Sequence, residues 1–421
     1  MSPGPVDTQS TPTQQSQTRT EAPSGRRYVQ LVVVLGALIA LGPLTIDMYL
    51  PAFPALSADL DASDSATQLT LTGMLGGLAF GQLVIGPLSD AFGRKRPLVA
   101  GLVTHAVASV LAALAPSIYV LASVRVLQGF AGAAISVVAM AIVRDLFSGY
   151  AVARLMSRLM LVIGLAPILA PSIGGVILEW TSWRGIFGVL AATAVVLTLV
   201  AVLGVRETLP VERRRPANVR ATLATYRSLV RDTSFLALVF IAGFMLSAMF
   251  AYVAGSSFVL QDGYGLDELA FGLVFGANAA GLTISSQLNP LLIRTFGVLN
   301  VLTGAMLVGM VAASALVIAG LTGAGGLLGV LLPLGVVVAS VGLSLPNTPA
   351  LALTRHGEAA GTAAAVLGAV QFGVGALVAP LVGMFGSTSA APMGAIMVAV
   401  TFAASVLMFG VVRRDPSVRL D

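Results

Sequence analysis

Residues 86–97 read Gly-Pro-Leu-Ser-Asp-Ala-Phe-Gly-Arg-Lys-Arg-Pro and follow an apolar segment at 66–87. A glycine, a carboxylate, a second glycine and a basic cluster in this order are typical of a tight turn at a membrane face. The basic residues alone fit any cytoplasmic turn, but they leave the spacing of Gly86, Asp90 and Gly93 unexplained. The stretch therefore predicts a specialised turn between two membrane-spanning helices.

The composition of the whole chain agrees with a membrane protein. Its 421 residues are 57% hydrophobic and 10% charged, with a mean hydropathy of +0.95. Soluble domains carry about 25% charged residues, so an ordinary soluble enzyme and a disordered chain are excluded. With two His and no Cys, zinc, iron–sulfur and thiol chemistry are not expected. We expect no enzymatic activity, no metal and no cofactor, and the chain has no Gly-rich ATP loop.

Twelve apolar segments are long enough to cross a bilayer, which needs about 20 apolar residues per helix. They are 29–50, 66–87, 97–115, 119–141, 157–178, 185–205, 235–257, 269–293, 298–320, 325–345, 360–383 and 391–412.

The longest connector separates two groups of six segments. We predict a disordered cytoplasmic tail at 1–27, six-helix bundles at 28–205 and 235–413, a cytoplasmic linker at 206–234 and a cytoplasmic tail at 414–421. The second and eighth segments are both followed by Pro-Leu and then Phe-Gly, at residues 87–93 and 290–297. Two parallel six-helix repeats are typical of one class of secondary transporters.

The charges indicate the orientation in the membrane. Of the 23 Lys and Arg residues, 21 lie on the side that holds both termini and the linker. The positive-inside rule places that side in the cytoplasm. The opposite side is acidic, with Asp59, Asp61, Asp64, Asp262, Asp267 and Glu268. Topology explains the basic pI, so no nucleic-acid partner is expected.

The stretch at 86–97 resembles the G-x-L-[SA]-D-x-x-G-R-[RK] signature of the major facilitator superfamily, a fold of two six-helix bundles related by a pseudo-two-fold axis. The resemblance implies a cytoplasmic gate formed by Gly86, Asp90, Gly93 and Arg94. Arg144 and Asp145 at the foot of the fourth segment are its expected partners. Ala91 stands where the family often has a cation.

Two further motifs fit this family. Residues 125–132, Arg-Val-Leu-Gln-Gly-Phe-Ala-Gly, resemble the R-x-x-Q-G-x-G motif that the family links to proton transfer. An Arg inside a membrane helix costs about 2.5–3.5 kcal/mol on the insertion scale, although Arg125 can alternatively snorkel to the outer surface. The fifth segment contains Pro167, Pro171, Gly174 and Gly175 and partly resembles the antiporter motif of drug exporters; simple helix packing is the alternative.

Asp47 is the one acid that we place inside the hydrocarbon, where ionisable groups are functional by default. A helix-end charge near the outer surface is the alternative. Residues 47–52, Asp-Met-Tyr-Leu-Pro-Ala, together with the other motifs resemble the Bcr/CflA branch of drug:proton antiporters. Asp47 and Arg125 lie at depths that differ by about 3 Å. We therefore expect them within salt-bridge or water-bridged reach in at least one state of a proton-coupling site.

Other polar or polarisable side chains in the segments are candidates for a substrate cavity, although such residues more often serve interhelical hydrogen bonding or plain core packing. These candidates are Tyr49, Gln128, Met245, Tyr252, Asn278 and Gln371.

The sequence thus predicts a monomeric, multi-pass protein of a bacterial plasma membrane that exports small, partly apolar drugs or antibiotics in exchange for protons. Its partners are the lipid bilayer, the drug and protons. A proton-coupled importer of a small nutrient is the alternative within the same class. A membrane receptor is a further alternative, but it would be expected to carry a folded soluble domain.

Overall fold

The computed structural model describes residues 25–147, 150–214, 219–354, 356, 359–385 and 388–416, and this part of the chain is helical without strands. The predicted tails lie largely outside these ranges. The α-helices are α1 (Gly25–Asp47), α2 (Phe53–Asp59), α3 (Asp64–Phe92), α4 (Lys95–Ala113), α5 (Ile118–Leu146), α6 (Tyr150–Trp180), α7 (Trp183–Gly204), α8 (Val219–Arg231), α9 (Thr233–Ser257), α10 (Glu268–Phe296), α11 (Val298–Thr322), α12 (Gly326–Thr354), α13 (Ala360–Met384) and α14 (Ala390–Gly410).

Twelve spans in the described residues are long and apolar enough to cross a membrane, which confirms the predicted all-helical architecture. The first span consists of α1, a 3₁₀ turn at Leu50–Ala52 and α2. Helix α8 lies inside the predicted linker and is not one of the twelve spans. We call α1–α7 the first half and α9–α14 the second half; the predicted domain limits stay a prediction.

Three helix ends were predicted too early. Helix α3 ends at 92 rather than 87, α5 at 146 rather than 141, and α12 at 354 rather than 345. In α12 the sequence pattern stops before Pro346, yet the helix continues through Pro346 and Pro349. Proline is tolerated in membrane helices because neighbouring groups satisfy the carbonyls that it frees.

The predicted repeat is visible in the geometry of α3 and α10. Both helices have 29 residues, begin with a side-chain cap and contain one proline near the C-terminal end. Both end on Phe-Gly, and the glycines Gly93 and Gly297 have φ of +86° and +76°. Only glycine adopts such a conformation without steric cost. The Phe-Gly pairs therefore mark the same turn in the two halves.

Two seams join the halves: α3 packs against α13, and α6 packs against α10. Glycines allow close approach along the second seam. A Cβ added at Gly272 would come within 2.9 Å of the Cα of Ser172, and one at Gly276 within 2.9 Å of the carbonyl oxygen of Ile168. This close backbone contact is typical of small-residue helix pairs in membranes.

Candidate functional site

Asp47 is the last residue of α1, and only 4% of it is exposed. The chain leaves α-helical geometry directly after it. No hydrogen bond or salt bridge to this carboxylate is present among the described residues, and the hydroxyl of Tyr252 in α9 lies within electrostatic range of it. A buried carboxylate without a cation, at the negative end of a helix dipole, is costly in its charged form. Such a group is a strong candidate for a functional charge.

Arg125 in α5 is fully buried. Both of its terminal nitrogens donate to the carbonyl oxygen of Thr45 at 3.1 Å, and Nη1 also donates to Oε1 of Gln128 at 2.6 Å. The guanidinium carbon lies 4.3 Å from the centre of the Tyr49 ring, a cation–π distance. The Nε of Arg125 has no hydrogen-bond partner. Because Arg125 is buried, it does not snorkel to the surface in this conformation. The carbonyl oxygen of Thr45 and the face of the Tyr49 ring stabilise its positive charge.

Asp47 and Arg125 form no salt bridge in this conformation, although both belong to the same part of the first half. Arg125 instead binds the carbonyl of Thr45, two residues before Asp47. The expected direct contact therefore stays a prediction for another state. A shift of Arg125 from the Thr45 carbonyl toward the carboxylate is the rearrangement that such a state requires.

The residues predicted to line a substrate cavity contact neighbouring side chains in this conformation. The amide of Asn278 donates to the hydroxyl of Tyr252 at 3.1 Å, and the Tyr252 ring stacks on Phe275 at 4.9 Å. Tyr49, Gln128 and Met245 are buried, and Gln371 of α13 is half-buried. None of the six predicted residues lines the large cavity described below. In this conformation the interhelical reading describes Tyr49, Gln128, Tyr252 and Asn278 best.

Gly174 and Gly175 of the fifth segment pack closely against backbone carbonyl groups of other elements. Gly174 packs against the carbonyl of Met48, next to Asp47, and a Cβ there would overlap that oxygen. A Cβ at Gly175 would come within 2.9 Å of the carbonyl oxygen of Glu268, at the start of α10 in the second half. Pro167 and Pro171 lie within one continuous helix, α6. This motif thus connects the end of α1 with the seam between the halves.

Hydrogen bonds close the outer side of the molecule. Gln68 of α3 donates to the carbonyl of Ala254 at 3.0 Å and accepts from the backbone N–H of Gly383 at 2.8 Å, so one amide joins three helices of the two halves. The hydroxyl of Ser257 donates to the carbonyl of Leu50 at 2.5 Å. Gln261 donates to the carbonyl of Pro51 at 3.1 Å. Each of these contacts pairs a side chain with the main chain, and none of them is an ion pair.

A cavity of about 820 Å³ opens at the opposite, basic side of the molecule. Its wall includes α3, α5, α13 and the linker helix α8, where the hydroxyl of Tyr226 donates to the carbonyl of Leu83 at 2.8 Å. The cavity is lined by apolar and hydroxyl-bearing side chains together with charged ones such as Asp90 and Arg144. Under the orientation that the positive-inside rule predicts, the closed side is the outer one and the cavity opens toward the cytoplasm, so this conformation corresponds to an inward-facing state.

Arg94, a residue of the predicted gate, is the centre of a hydrogen-bond network. Its Nε donates to Asp145 at 2.9 Å, and its Nη1 donates to Asp90 at 2.6 Å and to Ser89 at 2.7 Å. The network lies entirely within the first half in this conformation. Arg144 lines the cavity and forms no described salt bridge. Gly86 also lines the cavity. In this conformation Arg94 contacts Asp90 and Asp145 but not Arg144, and the role of these residues as a gate stays a prediction.

Replacing Asp90 by alanine is expected to slow transport about tenfold while the drug Kd stays within about twofold. The carboxylate is half-exposed and binds Arg94 at the edge of the cavity, so its loss is expected to affect closure more than binding. Equilibrium binding and transport rate are measured on one preparation. Glu212→Ala, an acid on the same face without a described hydrogen bond, is the control. An equal loss of binding and rate would contradict a gating role.

Glu207 binds the turn between α3 and α4, which contains Gly93 and Arg94, to the chain that follows α7. Its carboxylate accepts hydrogen bonds from the backbone N–H groups of Arg94, Lys95, Thr208 and Leu209. Partial burial opposes the charged form, but these four donors stabilise it more, so the pKa of Glu207 lies below its usual value. The carboxylate also leaves no room for a side chain at Gly93.

The lowered pKa of Glu207 predicts a pH-dependent contribution to stability. Since the folded-state pKa is below the usual value of 4.5, this contribution is complete above that pH and is lost as pH falls through the folded-state pKa. Glu207→Gln is expected to lower stability by about 1–2 kcal/mol at pH 7 and to flatten the loss of stability between about pH 5 and 3. Thermal unfolding across this pH range measures both effects. Parallel curves for the two proteins would refute the assignment.

Several residues outside the predicted set contribute to these contacts, among them Gln68, His105 and Tyr226. A signal existed for two of them, because Gln68 and His105 are polar side chains inside apolar segments. His105 is buried and contacts Thr45 at 3.0 Å. Nothing in the sequence marks Tyr226 as a cavity residue, since the position of α8 depends on tertiary packing.

Two six-helix halves, closed on one side and with a cavity open on the other, define a membrane transporter of the alternating-access class rather than an enzyme. The family model described as Major Facilitator Superfamily matches residues 35–380. The chain belongs to this superfamily.

Individual relatives refine this assignment. The chain is 39% identical over 397 residues to YdgK of Bacillus subtilis, described as an uncharacterised MFS-type transporter, covering 93% of this chain and 97% of that protein. It is 33% identical to a bicyclomycin resistance protein homologue of Haemophilus influenzae, covering 86% and 91%; this relative supports the resemblance to the Bcr/CflA branch. A bacterial Spinster homologue in an inward-facing, occupied conformation shares the fold, with a TM-score of 0.74 and 16% identity, covering 95% of this chain and 100% of that one.

Proposed function

We propose that this transporter exports small, partly apolar drugs or antibiotics across a bacterial inner membrane, driven by protons that enter the cytoplasm. Two lines of support come from outside the site. One relative is named for bicyclomycin resistance, and the fifth segment partly matches the motif of drug antiporters. The basic side of the chain favours a cytoplasmic position for both termini and the linker.

The observation that carries the proposal is Asp47, a buried carboxylate at the end of α1 for which the described residues supply no cationic partner. Protonation removes the cost of holding this charge in the membrane, so the two protonation states favour different arrangements of their surroundings. In the deprotonated state, the proposed rearrangement moves Arg125 from the Thr45 carbonyl toward Asp47. Proton binding then releases Arg125 and favours the inward-facing state.

The inward cavity supplies the route for the drug. Its volume of about 820 Å³ lies in the range of sites for drug-sized molecules. Export requires the drug to bind from the cytoplasm, to favour deprotonation of Asp47 and to leave on the outer side. One proton supplies about 2.3 kcal/mol per 100 mV of membrane potential, which is sufficient to concentrate a neutral compound outside.

Drug-susceptibility profiling of a sensitive bacterial host tests the direction of transport. Expression of the chain is expected to raise the inhibitory concentration of some compounds at least about fourfold, and a protonophore is expected to abolish their efflux from preloaded cells. The same host carrying the empty vector is the control. Accumulation of a nutrient without any resistance would favour the importer, and efflux insensitive to the protonophore would contradict proton coupling.

A further inference from the structure

His105 is a buried ionisable residue of α4 that the proposed transport cycle does not use. Each of its ring nitrogens faces a hydroxyl group. Nε2 lies 3.0 Å from Oγ1 of Thr45 in α1, and Nδ1 lies 3.4 Å from Oγ of Ser109 one turn further along α4. The imidazole therefore stands between its own helix and the end of α1 that carries Asp47.

The direction of the hydrogen bonds follows from the number of available protons. The single hydroxyl proton of Thr45 is donated to the carbonyl of Leu41 at 2.6 Å, so Oγ1 can only accept from His105. The hydroxyl of Ser109 likewise donates to the carbonyl of His105 at 2.8 Å, so each ring nitrogen faces an oxygen that can only accept. A neutral imidazole has one ring proton, and the shorter contact, 3.0 Å against 3.4 Å, places it on Nε2, which donates to α1.

The same network continues to Arg125. Ser109 accepts from the amide of Gln128 at 2.8 Å, and Gln128 accepts from Arg125 at 2.6 Å. Arg125 then returns to Thr45 through its carbonyl oxygen. Thr45 is therefore held twice, by His105 at its side chain and by Arg125 at its backbone.

The charges around His105 favour a neutral imidazole in this role. Arg125 is the charged member of the network, and none of the hydrogen-bond partners of His105 is a carboxylate. Asp47, two residues after Thr45, forms no hydrogen bond with the ring. A second positive charge here would be repelled by Arg125 in a buried, low-dielectric environment. Donation from Nε2 needs no such charge.

We infer that His105 is a positioning residue: its neutral imidazole holds Thr45 and thereby fixes the end of α1, with Asp47, relative to Arg125. The inference rests on the proposed function, because His105 holds in place the residue, Asp47, at which the proposed proton exchange occurs. His105 itself exchanges no proton in the cycle. The side chain that replaces it must therefore supply an N–H donor, but it need not titrate.

Two variants of the full chain in proteoliposomes separate these roles. His105→Leu is expected to lower drug transport driven by a pH gradient about tenfold, with drug counterflow at equal pH within about twofold. His105→Gln, whose amide can donate to Thr45, is expected to keep more than half of the driven transport and the wild-type pH profile. A His105→Gln variant as defective as His105→Leu, or one with a shifted pH profile, would overturn the inference.

A double-mutant cycle in thermal unfolding tests the contact without relying on transport. Thr45→Val removes the acceptor, so the loss of stability from Thr45→Val and His105→Leu together is expected to be clearly smaller than the sum of the single losses. Thr104→Val, on α4 without a described hydrogen bond, is the additive control. Additive losses for Thr45 and His105 would overturn the inference. Wild-type protein that moves no protons would instead contradict the proposed function.

Discussion

Asp47→Asn is expected to abolish the drug gradient that the transporter maintains, while drug exchange at equal concentrations continues. Asparagine keeps the size of the side chain but can neither bind nor release a proton, so transport loses its energy source. At 100 mV, one proton per drug sustains a gradient of about 50-fold for a neutral compound. We expect this ratio to fall to about 1 in the variant.

The comparison of driven transport with counterflow in one batch of proteoliposomes isolates the effect on coupling. Asp61→Asn is the matched control, because Asp61 lies in an exposed outer turn with a φ of +46°, a conformation that asparagine tolerates. This control is expected to behave like the wild type. A variant at position 47 that still maintains a gradient would remove Asp47 from the coupling mechanism.

Gln68→Leu is expected to shift the transporter strongly away from the inward-facing conformation. The substitution leaves the carbonyl of Ala254 and the N–H of Gly383 without the partner that closes the outer side. Two lost hydrogen bonds of this kind cost about 2–4 kcal/mol, which corresponds to at least about 30-fold in the ratio of the two states. The inner cavity should therefore become much less accessible from the cytoplasm.

The absence of cysteine from the chain makes this shift measurable. Ser136→Cys places one thiol on the cavity wall, and its reaction with a membrane-impermeant maleimide from the cytoplasmic side reports the open cavity. Labelling is expected to slow about tenfold with Gln68→Leu. It should stay unchanged with Gln287→Leu, which alters an exposed amide of α10 that makes no described hydrogen bond. Equal labelling rates in both variants would exclude Gln68 from the outer closure.

Local sequence patterns were sufficient for much of the fold and of the gate. The turn at 86–97, its counterpart at 290–297 and the segment lengths identify twelve helices in two repeats. A carboxylate or guanidinium inside an apolar segment is rare enough to be noticed one residue at a time. Asp47 and Arg125 were therefore predicted as buried charges, although their contact remains a prediction.

The contacts that close the outer side were not predictable in the same way. Gln68 and Gly383 are 315 positions apart in the chain, and the pairing depends on how α3 and α13 are rotated against each other. A similar limit applies to Tyr252 and Asn278. Their polarity indicated a cavity, but in this conformation they bind each other. Polar side chains in a membrane protein serve packing and ligand binding alike, and only the three-dimensional arrangement separates the two uses.

The most direct test of proton-coupled export is the movement of protons when drug is added to the wild-type protein. Proteoliposomes with an acidic interior and a pH-sensitive dye inside are mixed with a compound to which the chain confers resistance. We expect the drug to enter against its gradient while the interior becomes more alkaline, and we expect neither change with Asp47→Asn. Drug uptake by the wild-type protein without any change of internal pH would contradict the account.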